Sequence, residues 1–225
     1  MKAIMGKKIL KISLAVFFLL QLANSANAQP FANDIAAFKK QDSIAFPPKN
    51  AILFVGSSSF TKWKDVQNYF PGYPIINRGF GGSVLNDVIR YEKDIIFPYQ
   101  PKQIVIYCGE NDVASSDTVS GKIVLERFKK LYTDIRQQFP TTSIVFISLK
   151  PCPSRWQMKD RMMDANKRIK KYLKKKKNTR FVSVWKAMLD AEGKPIADIF
   201  IEDRLHMNAK GYAIWQKILE PYLKK

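Results

Sequence analysis

The chain has 225 residues, with 38 lysines and arginines against 19 acids, a formal net charge of +19, two cysteines and a single histidine. One imidazole excludes a histidine-rich metal site, and it leaves any reaction needing a neutral base near pH 7 with one candidate, His206. The charge speaks to partners rather than to fold: it favours anionic surfaces, and without an aromatic-basic binding motif it does not indicate nucleic acid.

The chain opens with Lys2, Lys7, Lys8 and Lys11, then an apolar run over residues 12–23, then "ANA" at 26–28. That is the pattern of a secretory leader, with an apolar run shorter than the ~20 residues of a spanning helix. Cleavage is expected after Ala28, so that Gln29 begins an exported, periplasmic or secreted protein with no membrane span. The leader's four lysines account for four of the nineteen excess charges, leaving +15. Residues 29–225 carry no repeat or Gly/Ser linker and are expected to form a single domain.

A helix is expected near residues 31–42. Apolar runs follow at 51–55 (AILFV), 74–77 (PIIN), 103–108 (QIVIYC), 143–148 (SIVFIS) and 180–185 (RFVSVW). Their near-continuous Val, Ile and Phe content suits parallel strands buried on both faces. Between the third and fourth, Val124, Phe128, Leu131, Ile135 and Phe139 mark a helix over about 119–139, closed by Pro140. The segment 166–180 (NKRIKKYLKKKKNTR) is strongly basic, yet Met162, Ile169 and Leu173 keep helical spacing, so it reads first as a helix with a solvated basic face. A sharper reading is electrostatic contact with an anionic envelope polymer or lipid headgroup. Tyr212, Trp215 and Leu219 mark a last helix over about 208–223. Strands alternating with helices predict an α/β fold with a parallel sheet covered on both sides. Cys108 and Cys152 both follow predicted strands; an exported protein permits a disulfide, but the spacing does not require one, and two buried thiols are expected.

The polar clusters fall after the carboxyl ends of these strands: "GSSSF", "RGFGGS", "GEND", "KPCPSRW" and, in the connection after the fifth, "EDRLH". Ligands of open α/β sheets bind at that edge. The clusters supply the parts of acyl transfer: serine hydroxyls at 57–59, an imidazole at His206, a carboxylate three residues before it at Asp203, and donors at Gly81, Gly82 and Asn111. The residues alone do not choose among Ser57, Ser58 and Ser59.

"FVGSSSF", "NRGFGGS", "YCGEND" and "DRLHMNAKGY" resemble, in order and spacing, the four blocks of the SGNH (GDSL-like) hydrolase superfamily, over residues 51–215. The resemblance implies a three-layer α/β/α sandwich of about five parallel strands in flavodoxin-like order. It implies Ser58 as nucleophile, His206 as base and Asp203 as its partner, with the Ser58 and Gly82 N–H groups and the Asn111 amide as the oxyanion hole. It implies no metal and no organic cofactor. Ser57 stands where the family pattern has aspartate, as in a "GSSS" branch, and the G-x-S-x-G elbow of α/β-hydrolases is absent, since Phe60 occupies its fifth position.

The expected activity is hydrolysis of short-chain acyl esters, O-acetyl groups on carbohydrate above all, with Arg155 and Trp156 as candidate substrate contacts on the same edge. Two other readings stay open: a lysophospholipase-type acylhydrolase, and a catalytically silent carbohydrate-binding relative.

Overall fold

Five strands, β1 (Ile52–Gly56), β2 (Ile75–Gly79), β3 (Gln103–Tyr107), β4 (Ser143–Ile147) and β5 (Thr179–Val182), pair in parallel in the order β2-β1-β3-β4-β5. This is the flavodoxin-like order, with its switch point between β1 and β3. The computed structural model describes residues 29–225, so the expected leader lies outside the described residues. The sheet and its covering helices belong to one unit, Asp34–Lys225.

The helices are α1 (Ala32–Ile44), α2 (Ser58–Thr61), α3 (Val66–Tyr69), α4 (Leu85–Ile95), α5 (Glu110–Ser115), α6 (Gly121–Gln138), α7 (Lys159–Leu173) and α8 (Ala209–Leu219). Side chains alternate across a strand, and the two faces of this sheet have different partners. Phe54, Val105, Tyr107 and Val145 point toward α2 and α8, where Trp63, Tyr212 and Trp215 complete an aromatic core. On the other face Phe128 of α6 packs edge-on against Phe146, their ring centroids 4.8 Å apart, and α6 packs in turn on α7. The result is a three-layer α/β/α arrangement.

α1 docks through Asp42, which accepts from Tyr99 Oη at 2.5 Å and pairs with Arg78 of β2. The C-terminal tail is tied to the amino end of β3: Gln103 Nε2 donates to the Tyr222 carbonyl at 2.8 Å, and the Lys224 N–H donates to Gln103 Oε1 at 3.0 Å.

Several elements differ from expectation, three of them informatively. β5 leaves the ladder after Val182, although Val184 stays buried, because the backbone turns into a short 3-10 turn at Lys186. The last helix ends at Leu219, with Pro221 inside a separate 3-10 turn. α4 was not anticipated, although Leu85, Val88, Tyr91 and Ile95 are its buried stripe and the Asp87 carboxylate accepts the Val84 N–H at its start.

Candidate active site

β1 ends on Gly56 at φ 140°, where a Cβ would lie 1.9 Å from the Tyr107 carbonyl oxygen, so only glycine fits. The Ser57 N–H donates to that same oxygen at 3.0 Å, and the Gly56 carbonyl accepts from the Phe80 N–H at 3.0 Å. The chain thus leaves the centre of the sheet abruptly and enters α2 with Ser58 as its first residue. Ser57 and Ser59 are each 2% exposed, whereas Ser58 is only half-buried. Of the three serines, Ser58 alone offers a hydroxyl to solvent.

His206 is held by a tight turn that places Arg204 at φ 55°. Asp203 Oδ1 accepts the Leu205 and His206 N–H groups, both at 2.9 Å, and Oδ2 accepts from His206 Nδ1 at 2.6 Å. Partial burial alone would raise the Asp203 carboxyl, but these three hydrogen bonds outweigh it and bring its pKa down to about 2. An ionised partner at Nδ1 fixes the proton there, which leaves Nε2 as the free acceptor of the neutral ring. Nε2 is buried and has no hydrogen-bond partner, so it is not bonded to Ser58 Oγ in this state. The Ile201 N–H donates to the His206 carbonyl at 2.9 Å, and the Asn208 side chain caps α8. Tyr212 Oη of α8 donates to the Ser59 carbonyl at 2.9 Å, which ties the helix following the histidine turn to the serine turn.

The donors lie on the two neighbouring loops. Gly81, in the loop after β2, comes within 3.9 Å of Ser58 Cβ, measured from the Cβ it would carry. Gly82 follows at φ 86°. The Ser58 and Gly82 N–H groups have no acceptor among the described residues. Asn111, partly exposed in α5, donates one amide hydrogen to the Ser83 carbonyl at 3.0 Å, which leaves the second for another acceptor.

Its neighbours hold it in place. Asp112 accepts the Leu85 N–H at 2.9 Å and pairs with Arg127 at 2.7 Å. Glu110, 3% exposed, accepts from Lys150 Nζ at 3.0 Å, from Arg155 Nη1 at 3.2 Å and from the Tyr107 hydroxyl. Burial works against the Glu110 anion, yet the Lys150 and Arg155 charges keep its carboxyl below the usual carboxylate range. The sequence reading missed Glu110 and Lys150; the only available sign was charge inside two strand-end blocks, "GEND" and "LKPCP".

Arg155 is therefore anchored at the site edge. Trp156 stacks on Trp185 at 6.2 Å, and the Ser154 N–H donates to the Arg204 carbonyl at 3.1 Å, joining this loop to the histidine turn. Cys108 and Cys152 are free, buried thiols, and burial together with the Glu110 charge lifts Cys152 to about 11. Among the described residues no cluster of three or more His, Cys, Asp or Glu could hold a metal ion, and no helix is long and apolar enough to cross a membrane.

Residues 42–214 match the GDSL-like Lipase/Acylhydrolase family. The chain belongs to that family. Its members are carboxylic ester hydrolases, and so is this chain. Solved structures share its fold. A protein from Streptococcus pneumonia named as a platelet activating factor aligns with TM-score 0.77 at 19% identity, over 92% of this chain and 99% of that one. A GDSL-like lipase from Bacteroides thetaiotaomicron aligns with TM-score 0.70 at 20% identity, over 84% and 96%. An acetylxylan esterase from Geobacillus stearothermophilus aligns with TM-score 0.61 at 16% identity, over 76% and 93%. No curated protein matches the chain. Within the GDSL-like family pattern, Ser57 replaces an aspartate. Here it is buried, with its N–H and carbonyl both bonded to backbone.

Proposed function

We propose that this GDSL-like hydrolase is an exported serine esterase that removes short acyl groups, O-acetyl groups on carbohydrate in particular, through Ser58, His206 and Asp203. The observation that carries the reading is the state of His206: Nδ1 is held by an ionised carboxylate and Nε2 has no partner, on a turn whose following helix is bonded to the turn that exposes Ser58. Ser58 Oγ attacks the ester carbonyl and passes its proton to His206 Nε2, while Asp203 stabilises the resulting imidazolium. The tetrahedral oxyanion takes hydrogen bonds from the Ser58 and Gly82 N–H groups and the free Asn111 amide hydrogen. Nε2–H then protonates the departing alcohol, and a water deprotonated by the same nitrogen releases the acid. The Geobacillus neighbour, an acetylxylan esterase, supports an acetylated glycan as substrate.

The test is p-nitrophenyl acetate hydrolysis by the wild type and by single alanine variants. Ser58→Ala and His206→Ala should each be nearly inactive, and the double variant little worse, because the residues act as one unit. Ser57→Ala and Ser59→Ala should keep most of the activity. A His206→Ala protein with substantial activity would sink the mechanism, for no second histidine exists to replace it. A folded wild type with no esterase activity, yet with affinity for acetylated glycans, would leave the silent carbohydrate-binding reading.

A further inference from the structure

The segment 166–180 holds nine lysines and arginines and no acid. Only Arg168 among the nine has an ion-pair partner among the described residues, Asp164 at 2.7 Å. The rest of this charge has a definite shape. β5 is an edge strand, so Phe181 and, beyond the ladder, Ser183 and Trp185 on its α7 side are not covered by a further strand. Between this row and α7 lie depressions of about 170 and 250 Å³ that share Lys170 and Phe181. The second shares Lys176, Thr179 and Arg180 with a further depression of about 660 Å³, which reaches Lys177 and Lys224 at the amino edge of the sheet. Lys167, Lys170 and Lys174 repeat at helical spacing and form one wall. The stretch from Met163 of α7 to Lys174, the residue that caps it, spans about 17 Å at 1.5 Å per residue.

Its upper end meets the candidate active site. Trp185 stacks on Trp156, Lys159 Nζ sits 4.9 Å from the centroid of the Trp156 ring, and the adjacent Arg155 is paired with Glu110 beside Asn111.

We infer that the cleft between α7 and β5 is a binding groove for an anionic polysaccharide chain, which runs along the lysines and presents its acyl groups at the Ser58 edge. The last clause rests on the esterase reading; the binding does not. Half-buried Phe181 and Trp185 lie in the floor with cations along the walls, which suits sugar rings that stack while their carboxylates reach outward. A membrane would instead require apolar side chains that protrude beyond the charges.

The experiment is electrophoretic retardation of the protein in gels containing polygalacturonate at about 150 mM salt, where long-range attraction is screened. Neutral xylan, sedimentation with phosphatidylglycerol vesicles and binding to single-stranded DNA are the comparisons. The wild type should be retarded by polygalacturonate and not by xylan. The Lys170→Glu/Lys174→Glu/Arg180→Glu protein should lose about tenfold or more in affinity, and a Lys40→Glu/Lys64→Glu/Lys217→Glu protein of equal net charge much less. Trp185→Ala should weaken binding severalfold with the charge unchanged, and thermal melts would establish that each variant is folded. The groove is refuted if polygalacturonate does not retard the wild type, if both charge-reversed proteins lose equally, or if vesicles or DNA bind as tightly. A protein that hydrolyses p-nitrophenyl acetate but is not retarded refutes the groove alone. One that is retarded but hydrolyses no ester refutes the esterase reading alone.

Discussion

Asn111 has one amide hydrogen bonded to the Ser83 carbonyl, so its orientation is set before substrate arrives. In the proposed mechanism a donor fixed in this way serves the oxyanion rather than the ground-state carbonyl. Asn111→Ala should therefore lower kcat by about 10²–10³ while leaving KM nearly unchanged. Steady-state kinetics on an acetyl ester would check this, and an unchanged kcat would remove Asn111 from the mechanism. Asp203 has a second consequence. Its depressed pKa means its contribution to stability is present above the ordinary value of 3.8 and is lost as pH falls toward about 2. Asp203 therefore stays ionised through milder acidification, and a loss of rate there has its origin in another group. Glu92 of α4 shows the opposite sign. Burial first, then the nearby Asp134 charge, lifts it to about 7 despite Lys130 and Lys93, and its Oε2 has no partner. The folded protein holds this proton more tightly than the unfolded chain, so stability falls as pH rises from about 4.5 through 7. Glu92→Gln should raise the melting temperature at pH 8 and leave it nearly unchanged at pH 4. An equal shift at both values would mean the charge is not responsible.

Gly56 joins strand, serine turn and sheet centre in one residue. Gly56→Ala would force both a positive φ and a backbone collision at Tyr107, costing more than the ~1–3 kcal/mol of conformational strain alone. A fall of roughly 10 °C or more in melting temperature is expected; a melt within a degree or two of wild type would show that the turn can relax. Elements of this kind were legible in the sequence to different degrees. The strands were readable because β1, β3 and β4 are buried along their whole length, which leaves an unbroken apolar run. β5 was drawn too long, since Val184 remains buried after the hydrogen-bond ladder has ended. α4 was legible too, for Leu85, Val88, Tyr91 and Ile95 keep the helical spacing that marked α6, yet it was not read. The pairing of Glu110 with Lys150 could not be read at all, for it joins residues forty apart through a fold that local pattern does not encode. The choice of Ser58 came from family resemblance; its physical basis, one open serine between two buried ones, is visible only in three dimensions.

For the molecule as a whole, the connections after β1 and β2 are short, and the long one after β5, residues 183–208, breaks its apolar residues into runs of no more than three. Acetyl and butyryl esters should accordingly give higher kcat/KM than decanoyl esters, and the reverse order would favour a lysophospholipase. N-terminal sequencing of secreted or periplasmic protein should begin at Gln29; an intact Met1 in a membrane fraction would make the leader an anchor. The bond from Tyr212 to Ser59 carries one more consequence, in time rather than in space. The proposed nucleophile is made early, on α2, while the proposed base and the helix behind it come about 150 residues later. Until α8 arrives, Trp63 lacks its stacking partner Tyr212 at 4.7 Å, and Phe60 and Tyr107 lack Trp215. A nascent or truncated chain ending before residue 203 therefore has no base and leaves an aromatic surface uncovered. Such chains should be both inert toward esters and prone to associate, so that synthesis of the final helix switches on catalysis and solubility in the same step.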